Sequence, residues 1–387
     1  MSGVTYERAP NYDQAQKQLR LLAGIHAALT KDIEPEDYDF MYRTVINGGG
    51  PEAYPVGSIV WTEKGTYKYP WAVMHHGEHA DGRPYMHLRV IKAVNLLQFD
   101  ASEAFYYCEE ALAAGTYYVE VPTAYGQTGV GNYQFTLASQ VPAGGRLCFS
   151  VVPYNTDITG KNVQAYDAAN STVVSQTAVI SSGSSGTKLG VLQGTGDTEV
   201  ENMNSIQRVS FGSNNYAQSN IRQYLNSDAV AGSVWKSSNK FDQPPSWNAS
   251  QPGFLTKLPD EFLEIVHPVT IAQDTNTVFE VDYTKSSSYT LKDKFWLPSR
   301  FQIYGSKESA ELNEIQWDYY KGSADVDKIM FDNGGTARHQ WLRSPYVGYA
   351  HYVRLVHAST GALNSSYAHT SYAVAPACEI SAPETPV

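Results

Sequence analysis

Cysteine is scarce: Cys108, Cys148 and Cys378 are the 3 in 387 residues, odd in number and far apart. Such spacing points to buried thiols and away from a disulfide framework or a zinc site, which would show close Cys/His pairs. Charge is also scarce, at 17% of residues, and its balance is acidic, a formal −11. Phosphate contact needs a basic face, so no nucleic-acid partner is expected. No run of about 18 apolar residues occurs, which predicts no membrane insertion by a helix. Met1–Glu7 lacks a charged segment followed by an apolar core, so no secretory signal is expected. What is present is a 42% hydrophobic content, ample for the cores of roughly two or three domains. Tyrosine is abundant at 28, a balance met in β-rich extracellular and virion proteins.

The tyrosines gather near the carboxyl end. In Trp341–Ile380, the ends Trp341-Leu342-Arg343-Ser344-Pro345 and Val374-Ala375-Pro376-Ala377-Cys378-Glu379-Ile380 bracket a middle built of Tyr, His, Ser, Asn, Thr, Ala and Gly. Tyr brings a large stiff ring at low entropic cost, while Ser, Asn and Gly adapt their hydrogen bonds, which is why binding surfaces use this alphabet. No Asp or Glu lies between Asp332 and Glu379, and no Lys follows Lys328, so Arg338, Arg343 and Arg354 leave the region neutral to weakly basic. The expected ligand contacts are Tyr346, Gly348, Tyr349, His351, Tyr352, Leu355, His357, Ser359, Asn364, Ser365, Ser366, Tyr367, His369 and Tyr372. Tyr352 and Tyr372 are the contacts that a core would absorb first, since buried tyrosines are common. Trp341, Leu342, Val353, Val356, Leu363 and Val374 are expected to form the frame.

With these two framing ends about 30 residues apart, the stretch resembles the variable region of proteins diversified by retroelements, the phage tropism-determinant type. In that family adenines of a template copy are randomised, and Asn codons changed only at adenine never yield Lys, Glu, Gln, Met or Trp. All five types are absent from Leu342 to Cys378. The resemblance implies an α+β chain with a C-type-lectin-like domain, a fold shared with formylglycine-generating enzymes, and a hypervariable surface spanning 342–377. It implies a virion protein of a phage or prophage, at a tail fibre, tail tip or capsid surface and made in the bacterial cytoplasm. The partners it implies are a host cell-surface protein or glycan, other virion proteins, and further copies of the chain in a homo-oligomer, by analogy a trimer. Phe295-Trp296-Leu297-Pro298-Ser299 resembles the strand entry of related bacterial and phage domains of unknown function that carry the Trp-Leu-Arg-Ser and Pro-Ala-Cys frames.

Periodicity organises the remainder. Asn11–Thr30 reads as a helix with Leu19, Leu22, His26 and Leu29 on one face, and Glu36–Ile46 as a second, stopped by Asn47-Gly48-Gly49-Gly50-Pro51. Residues 1–50 are therefore expected to be a helical docking or oligomerisation segment, or else to pack on their own domain. Tyr54–Val60, Tyr69–Met74 and His87–Leu97 are expected strands, and residues 51–113 the first part of the lectin-like domain. Between 114 and 182, five short β-type runs separated by Gly, Pro, Asn and Asp predict an inserted antiparallel β-sandwich, with Ser181–Thr187 a flexible exit. The main lectin-like domain is expected over 183–387, with helices at Ser213–Asn226, capped by Ser219, and at Pro259–Val266.

The chemistry-bearing residues point away from catalysis. His75-His76-Gly77-Glu78-His79 and His87 invite a metal, but the helical spacing of a metalloprotease motif is absent, and Gly77 and Gly82 suggest a turn. No metal site and no cofactor is expected. An enzyme of the formylglycine-generating type would need a reactive cysteine arrangement, and Cys378 stands alone. No nucleophile elbow or phosphate loop is visible, so no enzymatic activity is expected. Calcium needs clustered carboxylate oxygens, which Asn333–Cys378 lacks, so recognition is expected to be calcium-independent. The rival reading is an architectural virion protein whose tyrosines bind neighbouring subunits.

Overall fold

A computed structural model describes residues 37–101, 105–120, 132–149, 159–167, 172–191, 212–236, 244–273, 289–307, 314–346 and 352–384. The expected Asn11–Thr30 helix and the expected contacts Gly348, Tyr349 and His351 lie outside them. The chain is α+β with strands predominating. Among the described residues no helix is long and apolar enough to cross a membrane.

Two five-stranded sheets frame the main core. The first runs Ile59–Lys64, Tyr67–Glu78, Pro84–Val90, Ala377–Ser381 and Phe295–Trp296 across its width. The second runs Leu363–Tyr367, Tyr352–Val356, Gln340–Pro345, Ser371–Val374 and Asn95–Gln98. The Trp341 frame and the Pro376-Ala377-Cys378 frame thus fall in different sheets. Trp341 pairs with Leu355, whereas Cys378 lies between Phe295 and Leu88.

Between the sheets, Trp71, Phe254, Phe262, Phe295, Leu342 and Val353 belong to one buried cluster. The Tyr38–Ile46 helix starts at Asp37, whose carboxylate accepts from the Phe40 N–H, and it sinks Met41 and Val45 into this cluster. That helix therefore packs on its own domain. Ser219 caps Asn220–Leu225 as expected, burying Ile221, Tyr224 and Leu225. Ser299 opens Arg300–Tyr304 with a reciprocal capping box to Gln302, and Gly305 closes it in the left-handed region at φ 67°.

Residues 105–191 build a separate two-sheet unit with its own core of Tyr133, Phe135, Leu137, Leu147, Val163 and Ile180. Its bounds are wider than the periodicity indicated. Phe105–Tyr107 pairs with Arg146–Phe149, and Thr187–Val191 pairs with Gly115–Glu120 in parallel, so the unit is not wholly antiparallel. Ser181–Ser182, expected to be flexible, is a short strand on Tyr133–Gln134.

Candidate ligand-binding surface

The surface is built on an antiparallel pair whose register sets Tyr352 opposite Tyr367 and Arg354 opposite Ser365. Side chains alternate across a strand, so Tyr352 and Arg354 project from one face while Val353 and Leu355 project from the other. Val353 and Leu355 are buried, at 0% and 2% exposure. Leu355 is thus a core residue and not a ligand contact, because the strand's two-residue period turns it inward.

On the outward face the rings form a continuous row. Tyr352 and Tyr367 stack with centroids 4.7 Å apart, Tyr346 meets Tyr352 edge-on at 6.1 Å, and His369 lies 5.8 Å from Tyr367. The Arg354 guanidinium sits 4.0 Å over the Tyr346 ring. All five are half-buried, with their remaining surface open to solvent. Half-buried Ser365 shares this face opposite Arg354, whereas Ser366 and Asn364 stand opposite Val353 and Leu355 and project with them, Ser366 half-buried and Asn364 exposed at the edge; Ser359 is exposed.

A second aromatic group leads from the surface into the core. His357 meets His339 at 4.6 Å, His339 meets Tyr372 at 4.9 Å, and Tyr372 meets buried Trp341 at 4.9 Å. Tyr372 is therefore a half-buried wedge, its hydroxyl 3.2 Å from Ser366 Oγ. The Ala358 N–H donates to His339 Nδ1 at 3.1 Å, which places the proton of the neutral ring on Nε2. Burial, then the neighbouring His357, pushes the His339 pKa down.

The scaffold holds this surface by its main chain. Gln98 Nε2 donates to the His369 carbonyl at 2.8 Å, and Asn214 Nδ2 to the Tyr352 carbonyl at 3.2 Å. The Phe99 and Asp100 N–H groups share the Ala368 carbonyl, and the Tyr304 hydroxyl reaches the Gly361 carbonyl at 2.6 Å. Beneath them Trp341 Nε1 donates to the Leu97 carbonyl at 3.0 Å. Arg343, 1% exposed, donates to the Leu297 carbonyl and to Gln302 and pairs with Glu314. None of the main-chain contacts depends on which side chain stands at 352, 367 or 369.

The histidines singled out earlier form a different group, on the first sheet. His75 and His76 lie within the Tyr67–Glu78 strand, and the turn begins only at His79, so Gly77 is a strand residue. Its missing side chain lets Tyr85 lie across it: a Cβ there would stand 2.3 Å from the Tyr85 hydroxyl. Glu379, nearly three hundred residues on, accepts from His79 Nε2 at 2.8 Å and His87 Nε2 at 3.1 Å. Trp317 Nε1 can only donate, and it donates to His87 Nδ1 at 2.9 Å, which fixes the neutral His87 proton on Nε2. Burial alone would raise the Glu379 pKa, yet its bonds to His79 and His87 hold it far below the carboxylate range. His75 Nδ1 contacts Asp318 at 2.7 Å, while burial pushes the His75 pKa down. Among the described residues no group of three or more His, Cys, Asp or Glu side chains is placed to hold a metal. Cys378 is fully buried and its thiol is pushed well up by burial and then by Glu379, the opposite of what a reactive thiolate needs.

A family model described as a domain of unknown function (DUF6273) matches residues 170–382, more than half of the chain, and the chain belongs to that family. No curated protein and no solved structure matches the chain.

Proposed function

We propose that this protein is a non-enzymatic receptor-binding protein of a phage or prophage virion, displaying an exchangeable surface on a C-type-lectin-like scaffold. The observation that carries the reading is the division of labour in the second sheet. Buried Trp341, Val353 and Leu355 and the main-chain bonds from Gln98, Phe99, Asp100 and Asn214 fix the backbone. The outward Tyr346, Tyr352, Arg354, Ser365, Tyr367 and His369 stand outside that buried core, so exchange of their side chains leaves the core packing and these main-chain bonds in place. The absence of Lys, Glu, Gln, Met and Trp from Leu342 to Cys378 is what adenine-directed exchange would leave behind. Single contacts of this kind are weak, and a homo-oligomer, by analogy a trimer on a particle, would multiply them by about a hundredfold or more through avidity.

The test is an exchange of those outward residues for another set of Tyr, Ser, Asn, His and Gly. The expected result is a changed pattern of binding across a panel of bacterial cells, with the thermal midpoint held within about 5 °C. Unchanged cell binding together with lost assembly would support an architectural role instead. The source genome should also carry a reverse transcriptase and an imperfect repeat of the Arg343–Ile380 coding segment that differs at adenines; a genome with neither would remove diversification from the reading.

A further inference from the structure

The face of the first sheet that bears His87 and Glu379 also bears Arg89. This residue is 1% exposed and lies on the Pro84–Val90 strand between Ala72 and Ala377 on the flanking strands. Arginine stays protonated in a protein interior, so a full positive charge is buried here. Arg89 Nη1 donates to the Tyr320 hydroxyl, and Cζ lies 5.6 Å from that ring's centroid. Its Nε and Nη2 are buried and meet no hydrogen-bond partner among the described residues.

The acids nearby are committed elsewhere. Glu379 is bound to His79 and His87, Asp318 to His75 and Lys321, and Asp325 to Lys328. Tyr320 does not supply the missing negative charge, because burial raises its pKa and keeps the hydroxyl protonated. A buried cation without an anion is costly, whereas a planar bidentate partner offsets that cost.

Arg222 in the same chain shows what this pair of atoms matches. Its Nε and Nη2 together grip the Asp293 carboxylate, at 2.9 Å to Oδ2 and 2.7 Å to Oδ1. Arg89 leaves the same edge of its guanidinium buried and unpaired, and its cross-strand neighbours Ala72 and Ala377 bring only methyl groups beside it.

We propose that the Nε–Nη2 edge of Arg89 is a binding site for a small planar carboxylate, of formate or acetate size, between the first sheet and the Trp317–Tyr320 segment. Burial of the guanidinium sets the size limit, and the fork geometry sets the preference for a planar oxyanion over a spherical ion. The anion neutralises the charge and ties the sheet to Tyr320, so it stabilises the folded chain by mass action.

The test is thermal unfolding of the full chain in sodium formate, sodium acetate and sodium chloride at equal ionic strength, for the wild type and Arg89→Met. Formate or acetate should raise the wild-type midpoint by about 3 °C or more over chloride, rising with the logarithm of concentration, and Arg89→Met should show no such difference. Equal midpoints in all three salts for the wild type, or the same increment in Arg89→Met, would overturn the site. If Arg89→Met does not fold, carbon-13 formate titrated into the wild type decides by NMR. Saturable broadening or a bound resonance supports the site; a sharp, unshifted line at every ratio means internal water alone solvates the guanidinium.

Discussion

Tyr352 and Tyr367 face one another across an antiparallel pair, ring centroids 4.7 Å apart and planes at 24°. The next residue but two on the same strand, Leu355, points the opposite way and is 2% exposed. The two faces should therefore respond differently to truncation. A stacked aromatic pair contributes about 0.5–1.5 kcal/mol beyond its buried area, and both rings are half-exposed, so Tyr352→Ser with Tyr367→Ser should cost less per residue than Leu355→Ala while abolishing the proposed cell binding. Leu355→Ala leaves a cavity and should cost about 2–5 kcal/mol. Urea denaturation of both variants checks the contrast; equal losses would mean that the tyrosines are structural.

Gly212, under the surface, should be hard to replace. It holds φ at +78°, and a Cβ there would stand 2.9 Å from Ala368 Cβ and 2.9 Å from the Asp100 carbonyl oxygen. Gly212→Ala combines a left-handed backbone with a clash against the segment that carries His369. A loss of about 2 kcal/mol or more is expected, accompanied by weakening of the proposed cell binding although no proposed contact residue has changed. Wild-type stability and binding in Gly212→Ala would show that the segment shifts freely.

The sequence made the aromatic concentration and the Ser219-capped helix legible, because both rest on local rules; the short Arg300–Tyr304 helix capped by Ser299 was not expected, since Phe295–Ser299 reads as a strand entry. The alternation from Tyr352 to Leu355 was equally readable. It should have placed Arg354 outward and Leu355 inward, since period two leaves no other arrangement once Tyr352 faces solvent. The pairing of Glu379 with His79 and His87 was not readable, because it depends on the last strand inserting beside Pro84–Val90. The same long-range pairing separated the two framing ends into different sheets. The wider bounds of the 105–191 unit came from a parallel strand, Thr187–Val191, whose Ser/Gly-rich approach mimicked a linker.

Acid should destabilise the protein in two stages. His75 and His339 have pKa values lowered mainly by burial, so the unfolded chain takes up protons first as pH falls below about 6.5. Stability is full above that value and declines below it. Glu379, held far below the usual carboxylate range by its histidine partners, adds a steeper loss below its ordinary 4.5, where only the unfolded chain protonates. Glu379→Gln leaves an amide between two imidazole donors and should cost about 1–3 kcal/mol at pH 7 while flattening the low-pH stage. Urea midpoints from pH 3 to pH 8 read both effects, and an unchanged low-pH slope in Glu379→Gln would assign the acid loss to other groups.

Lys257 should be a residue whose removal strengthens the fold. It is 3% exposed, and its ammonium meets the Tyr224 hydroxyl at 3.0 Å and lies 5.4 Å from the Tyr67 centroid and 5.1 Å from the Tyr224 centroid. Burial pushes its pKa down to about 8 from 10.5, so below pH 8 both the folded and unfolded chains carry the charge and the folded chain bears the full desolvation cost. That cost is about 3 kcal/mol by linkage, partly offset by cation–π attraction of about 1–2 kcal/mol. Lys257→Met keeps the stem's volume without the charge and should raise stability at pH 7 by about 1–3 kcal/mol. The gain should shrink as pH rises from 8 towards 10.5, where the wild-type amine is neutral in both states. A destabilised Lys257→Met at pH 7 would show that the ammonium and its tyrosines contribute more than burial takes away.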